Sequence, residues 1–319
     1  MSWQPTAARS TLLRRARMLN TAREFFARHS VLEVETPILS AAAVSDPQIE
    51  SLTTQIAGMT GHSYLCPSPE YAMKRLLAAG SGDIYQICKV FRNEERGRWH
   101  NPEFTMIEWY RLGFDDMRLM HEVESLVGQL LAPHRTLKPA EHLHYSDALK
   151  RHAGVDAFSS SDADLEAAAT RHGIVCEASL DRDAKLDLLM GLIVGPKLGR
   201  DTPCFICDYP ASQAALARLK PGVPRVAARF ELYLDGLELA NGFHELVQPK
   251  EQRERFTHDL KLRAARAQVQ PPLDENFLAA LESGMPECAG VAVGFDRLVA
   301  LAIGADRLAE AMSFSIDNA

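Results

Sequence analysis

No apolar run in this sequence approaches the ~20 residues that a membrane-spanning helix requires, and the N-terminus lacks the apolar stretch of a secretory leader. The six cysteines, at 66, 88, 176, 204, 207 and 288, follow no framework spacing. Cys204 and Cys207 form the one close pair, but residues three apart on a strand point to opposite faces and cannot clamp one ion. These absences predict a soluble, reduced, cytoplasmic protein. There is no Gly-x-x-x-x-Gly-Lys phosphate loop, so a nucleotide would have to be held in another way. Internal repeats, low-complexity tracts and a Pro/Gly-rich linker are absent too, which predicts one domain over residues 1–319. The net charge of −7, with pI about 5.9, advertises no surface for neutralising nucleic-acid phosphates.

What is present can fold well: 319 residues with 46% hydrophobic composition are enough for a sizeable core. Two apolar, β-favouring runs, from Ile84 and from Phe104, flank a polar stretch holding Arg92, Asn93, Glu94, Arg96, Arg98, His100 and Asn101. The pattern predicts antiparallel strands joined by a long charged loop. Arg92 would close the first strand, where its fork of donors suits a phosphate or carboxylate. Phe104 would open the return strand and could stack on a flat base.

Elsewhere, residues 10–29 carry an amphipathic stripe of Leu12, Ala16, Leu19, Ala22 and Phe26. Residues 31–37 then alternate as a strand that stops at Pro37. Residues 66–77 read as a loop entering a helix, with Ser68, Pro69 and Glu70 at its start. Residues 117–200 read as mostly helical, and their histidines show no ligand geometry. A β-rich run follows at 203–208, and Asp235-Gly236 marks a hairpin between 226–234 and 237–240. Glu238 and Glu245 lie seven residues apart, which on a regular strand sends them to opposite faces. A bulge at Asn241-Gly242 would turn both inward, where paired carboxylates suit Mg²⁺ beside a phosphate. Charged helices are expected at 249–267 and 273–282. Near the end, Gly290-Val-Ala-Val-Gly-Phe-Asp-Arg297 reads as a strand entering an apolar helix; Gly294 lets a ligand approach the backbone.

The run Phe-Arg-Asn-Glu…His-Asn-Pro-Glu-Phe-Thr-Met-Ile-Glu-Trp-Tyr (91–110) resembles motif 2 of the class II aminoacyl-tRNA synthetases, in the lysine branch. Residues 10–37 resemble motif 1, which in that family builds a homodimer, and residues 290–303 resemble motif 3. The resemblance spans nearly the whole chain. It implies an α+β fold with an antiparallel sheet of about six strands flanked by helices.

For the site, the resemblance implies ATP bound between Phe104 and Arg297, with Arg92 on the α-phosphate. Arg92 and Arg297 would be the catalytic residues. Asn93, Glu94, Asn101, Glu238, Leu239 and Gly294 would complete the ATP site, and Glu238 and Glu245 would hold Mg²⁺. Ser68, Pro69, Glu70, Glu108, Tyr110, Glu245 and Ala292 would form the amino-acid pocket. Only about ten residues precede the motif 1 helix, so the oligonucleotide-binding barrel that reads anticodons in that family is expected to be absent. Such a shortened core is similar to the elongation factor P–(R)-β-lysine ligases, with Ser68-Pro-Glu, Ala292 and the ending Phe-Ser-Ile-Asp in common. That likeness implies activation of (R)-β-lysine as its adenylate, transfer to a lysine of elongation factor P, and no anticodon-specific tRNA binding. Two other readings fit the residues less closely: an α-lysine enzyme charging tRNA or a small amine, and a non-catalytic regulatory paralogue.

Overall fold

The structure is a computed structural model, and it describes residues 3–177, 179–200 and 202–319. Helix α1 (Arg9–Arg28) leads into four short strands, β1 (Leu32–Glu33), β2 (Leu39–Ser40), β3 (Thr53–Thr54) and β4 (Ser63–Leu65). Then come α2 (Glu70–Ala78), β5 (Ile84–Phe91), β6 (Glu103–Leu112) and α3 (Asp116–Leu131). A second stretch holds β7 (Glu141–His144), α4 (Tyr145–Ala153), α5 (Asp162–Arg171) and α6 (Arg182–Leu189), which a π turn extends over Met190–Val194. The chain closes with β8 (Cys204–Pro210), β9 (Leu219–Lys220), β10 (Val226–Leu234), β11 (Leu237–His244), α7 (Pro249–Ala265), α8 (Glu275–Gly284), β12 (Cys288–Gly294) and α9 (Phe295–Ile303).

The main sheet runs β1-β5-β6-β12-β11-β10-β8-β7, with β9 paired to β10. Its centre, β5 to β8 in that order, is six strands in antiparallel pairs throughout. The edges differ from expectation. β1 and β7 join in parallel, each as a short addition. The strand expected over 31–37 keeps only Leu32–Glu33 in the ladder, plus the Val34 N–H bonded to the Tyr85 carbonyl at 2.9 Å. Pro37 has no N–H to continue it. β7 lies inside a stretch expected to be helical. The Asp235-Gly236 hairpin forms as read, with both residues left-handed at φ 53° and 78°.

Alternation along the strands separates two faces. One carries Ile107, Trp109, Val291, Val293, Phe230, Leu232 and Phe205 and packs on apolar stripes of α1, α3 and α9. The register places Gln86, Glu108, Ala292, Asn241 and Glu231 in one row across the other face. Two smaller cores cover the ends of that second face. At one end α2, α7 and α8 pack around Ile84 and Tyr110; at the other α4, α5 and α6 pack on β8. A polar trough is left between them. Among the described residues, no helix is long and apolar enough to cross a membrane.

Candidate active site

One end of the trough is crowded with acid. Glu70 opens α2, Glu108 and Tyr110 project from β6, and Glu245 follows β11. Pro69 occupies the N-cap position of α2, and Ser68 braces the entry: its hydroxyl donates to Glu108 Oε2 at 2.9 Å and accepts the Glu70 N–H at 3.0 Å. The Tyr110 hydroxyl donates to Glu108 Oε1 at 2.7 Å. Lys74, one turn along α2 from Glu70, lies 2.6 Å from Glu70 Oε1 and 2.6 Å from Glu245 Oε2. Its side chain is fully buried. The i,i+4 step is what points both α2 residues into the same pocket.

Glycine makes room for this packing. A Cβ at Gly290 would stand 2.2 Å from the Tyr110 ring and 2.6 Å from Glu245 Oε1. Ala292, the next residue on that face, lies opposite Glu108 in the ladder.

Burial dominates the titration of this end. Burial and the nearby Glu70 push the Glu108 carboxyl up to about 7, against the hydrogen bonds from Tyr110 and Ser68. Burial pushes Glu245 up to about 8 although Lys74 opposes it. Lys74 itself is held above the ordinary range, because its two carboxylates outweigh the desolvation of its ammonium. Glu245 Oε1 has no hydrogen-bond partner despite its burial. An ionised carboxylate left in that state is costly, which makes the oxygen a site for a cationic donor.

The other end is rich in arginine. Arg92 follows β5, with its guanidinium 5.2 Å from the Phe104 ring centroid and 3.2 Å from Glu95. Its Nε is buried without a partner. Arg297 stands in the first turn of α9 and donates to the carbonyls of Glu238 at 2.7 Å and Trp99 at 3.3 Å. It also donates to His100 Nε2 at 2.9 Å, and burial together with Arg297 holds His100 below the usual imidazole range. The turn that bears Arg297 is pinned by Asp296, which accepts the Thr105 N–H at 2.6 Å and pairs with Arg15 of α1. A Cβ at Gly294, just before it, would meet only the Arg297 side chain at 3.8 Å and the Leu239 carbonyl at 3.9 Å. Asn101 donates to the Glu103 carbonyl at 2.6 Å and accepts the Ile316 N–H at 3.0 Å. Asn93 and Glu94 are exposed on the loop, Glu94 with a left-handed backbone at φ 66°.

Two expectations need correction. The bulge in β11 is not at Asn241-Gly242. Pairing with β10 slips between Leu232↔Ala240 and Tyr233↔Glu238, which leaves Leu239 as the extra residue. Asn241 and Gly242 stay in regular register with both neighbours. The slip does bring Glu238 onto the face of Asn241 and Glu245, so the expected parity is right. It cannot bring the two glutamates together, because seven residues of strand span roughly 20 Å. Glu245 belongs with Lys74, and the shared metal pair Glu238–Glu245 is not formed.

Glu238 instead faces Glu231 of β10, which sequence reading passed over. Burial and then Glu231 push the Glu238 carboxyl up to about 7, with Arg297, Arg92 and Arg229 acting against them. Glu231 accepts from Arg229 at 2.6 Å and from the Tyr233 hydroxyl at 2.7 Å. Lys74 was overlooked in the same way. Each had a signal: a lone carboxylate inside an apolar strand, and a lysine one helical turn from a pocket glutamate. Leu239 is 2% exposed and its side chain lies in the helix-covered core, so only its backbone reaches the trough.

Comparison with known proteins finds a matching family and close relatives. The family model of the class II tRNA synthetases (D, K and N) matches residues 1–318. A protein of Salmonella arizonae named elongation factor P–(R)-β-lysine ligase is 49% identical over 325 residues, covering 100% of this chain and 98% of that protein. Proteins of the same name from Salmonella paratyphi A and Salmonella dublin are each 48% identical with the same coverage.

Proposed function

Because the chain belongs to the class II tRNA synthetase family of the D, K and N group, we propose that it activates (R)-β-lysine with ATP and ligates it to elongation factor P. Relatives sharing nearly half of the sequence carry that name. The observation that carries the reading is the acidic end of the trough. Three buried or half-buried carboxylates, Glu70, Glu108 and Glu245, surround one buried ammonium, Lys74. Fully ionised, this set holds two net negative charges. A diamino acid brings two ammonium groups, one at the far end of its chain and one close to its carboxylate. Glu108 and Glu245 titrate near 7 and 8, so in the free pocket protons stand where those ammoniums would go.

In the first step a carboxylate oxygen of the amino acid attacks the α-phosphorus of ATP. The bond to the bridging oxygen breaks, and pyrophosphate leaves with the electron pair. In the second step the ε-amino nitrogen of an acceptor lysine attacks the acyl carbon. An amide forms, AMP leaves, and the nitrogen loses a proton. Neither step needs a protein nucleophile. Arg92 neutralises charge at the α-phosphate, and Arg297 serves the terminal phosphate and one face of the adenine, with Phe104 on the other. These donors sit in place before the reaction, which is where electrostatic catalysis draws its strength. The orphaned Nε of Arg92 fits an incoming oxygen. Glu94, Asn101, Gly294 and the backbone of Leu239 border the nucleotide, with Asn93 beside Arg92.

Glu231 and Glu238 are the carboxylates that would hold Mg²⁺, which supplies charge neutralisation at the phosphates when bound. Their fit rests on a buried acid, Glu231, beside a half-buried one, Glu238, whose carboxyl is pushed up first by desolvation and then by Glu231. We further read the chain as one catalytic domain without anticodon-specific tRNA binding, acting in the cytoplasm. Exposed Leu13, Leu32, Ile38 and Leu39 around the motif 1 region fit a homodimer contact.

The test is the intact mass of elongation factor P after incubation with the enzyme, ATP and each lysine isomer. The expected result is a gain of one lysyl unit, larger in yield with (R)-β-lysine. Pyrophosphate exchange without any mass gain would leave an adenylating enzyme with a different acceptor.

A further inference from the structure

Lys74 brings a positive charge to the acidic end, and its side chain is fully buried. Its Nζ is enclosed by Glu70 of its own helix and by Glu245 after β11, with the Phe277 ring of α8 5.7 Å away. Glu108 of β6 and the Cys288 thiol of β12 also feel its charge, and Tyr110 of β6, beside them, feels Glu108, Glu70 and Glu245. A fully buried ammonium with two carboxylates at 2.6 Å is locked in place. Buried, paired charges of this kind are weak evidence for stability alone, since apolar packing commonly serves as well.

We propose that Lys74 is a positioning residue that sets the charge of the amino-acid pocket: by cancelling one of three carboxylates, it matches the pocket to a substrate with two ammonium groups. This rests on the reading of the trough end as an amino-acid pocket. Without Lys74 the ionised pocket would hold three negative charges, and a diamino acid would leave one buried acid without a counter-charge. That acid would keep its proton, and Glu245 would become harder to ionise, because the ammonium that favours its charged form is gone. With Lys74 present, two incoming ammoniums complete the balance. Lys74 also holds Glu70 Oε1 and Glu245 Oε2 on either side of one nitrogen, while Glu245 Oε1 stays buried without a hydrogen-bond partner.

The charge account makes a prediction that a structural role does not. In the wild-type background, Lys74→Met takes the pocket from two net charges to three and should raise the KM for the diamino acid. In a Glu245→Gln background the pocket starts at one net charge, and the same substitution restores two, so it should lower that KM. The measurement is the KM for lysine and for ATP, with kcat, in pyrophosphate exchange by wild type, both single variants and the double variant. We expect Lys74→Met to raise the lysine KM by about tenfold or more, the scale of a mispaired buried charge. The ATP KM should stay near wild type, and the acid limb of the lysine KM profile should move to higher pH. Against Glu245→Gln, the double variant should bind lysine more tightly.

If Lys74→Met fails to fold, the comparison of Glu245→Gln with the double variant still decides. A double variant weaker than Glu245→Gln, or a Lys74→Met enzyme that keeps the wild-type lysine KM and pH profile, overturns the role of Lys74. Failure of the pocket reading looks different: Glu245→Gln itself would leave the lysine KM unchanged.

Discussion

The two ends of the trough share one sheet face yet are prepared for their ligands in opposite ways. At the acidic end the charged groups are already buried and locked. Lys74 is fully buried, Glu108 and Glu245 are 2% and 1% exposed, and Ser68 and Tyr110 fix both oxygens of Glu108. At the arginine end the groups are more open. The Arg92 side chain is 27% exposed and its Nε has no partner, while Arg297 spends its donors on two backbone carbonyls and His100. On the proposed function, the difference matches what each end would bind. An ammonium is small, and selecting it needs a dry pocket with fixed charges. A triphosphate brings its own large charge, and the arginines can complete their coordination around it.

The arginine end should show the largest effect. Arg92→Ala should lower kcat/KM for pyrophosphate exchange by a few hundred-fold or more, since losing one preorganised donor costs roughly 3–4 kcal/mol. Near-normal exchange in that variant would remove Arg92 from the chemistry.

The metal assignment gives the next contrast. Glu231→Gln should raise the Mg²⁺ concentration needed for half-maximal exchange by roughly tenfold or more, judged from what even supporting partners of a metal contribute. Glu245→Gln should leave that Mg²⁺ requirement alone and weaken lysine. If the two variants exchange these phenotypes, Glu231 is not the metal partner of Glu238.

A pH series tests the locked end directly. Glu108 and Glu245 have raised pKa values, so below about 7 and 8 they hold protons that the substrate must displace. Lysine binding should therefore strengthen as pH rises through this window, by up to about tenfold per pH unit for each proton released. Calorimetry in buffers of different ionisation enthalpy would measure the proton release directly. Glu245→Gln should remove the upper of the two steps; binding that is flat from pH 6 to 9 would refute the assignment.

The smallest effect concerns isomer choice. Ala292 adds one methyl to the row beside Glu108, and Ser68 adds a hydroxyl already bonded to that carboxylate. Wild type should prefer β-lysine over α-lysine by about 1–3 kcal/mol, the range of a methylene-sized contact. Ala292→Gly should shift kcat/KM toward α-lysine, and Ser68→Ala should weaken β-lysine more than α-lysine. Unchanged ratios in both variants would detach isomer choice from these residues.

Much of this comparison was legible from residue order alone. The motif 2 hairpin appears where two β-favouring runs flank a charged stretch, because alternation and turn chemistry are local properties. The Asp235-Gly236 turn is another such case, since its left-handed backbone depends on those two residues. Helix positions in 117–200 were mostly readable from apolar periodicity, with caps such as Asp115 and the Ser161–Asp164 box at their starts. β7 was not, because four residues beside a helix carry too little periodicity, and its pairing partner lies some sixty residues away. The acid pocket was partly readable: Glu70, Glu108, Tyr110 and Glu245 were expected together, while Lys74 went unnoticed inside the same helix.

By itself the sequence determined the antiparallel hairpins and the polar and apolar faces, which follow from periods of two and 3.6 residues. The side chains expected to meet phosphate or ammonium came from the resemblance of its motifs to the class II family. Only the tertiary structure decided which carboxylates are neighbours. One extra residue at Leu239 sets the facing of Glu238, the strand's length keeps Glu245 far from it, and the pairing of β10 with β11 supplies Glu231 instead. Likewise, Lys74 becomes the counter-charge of Glu245 only because α2 is packed over the sheet by α7 and α8. Register and burial are collective properties of strands and helices distant in the chain, so no local pattern around Glu238 or Glu245 could have paired them correctly.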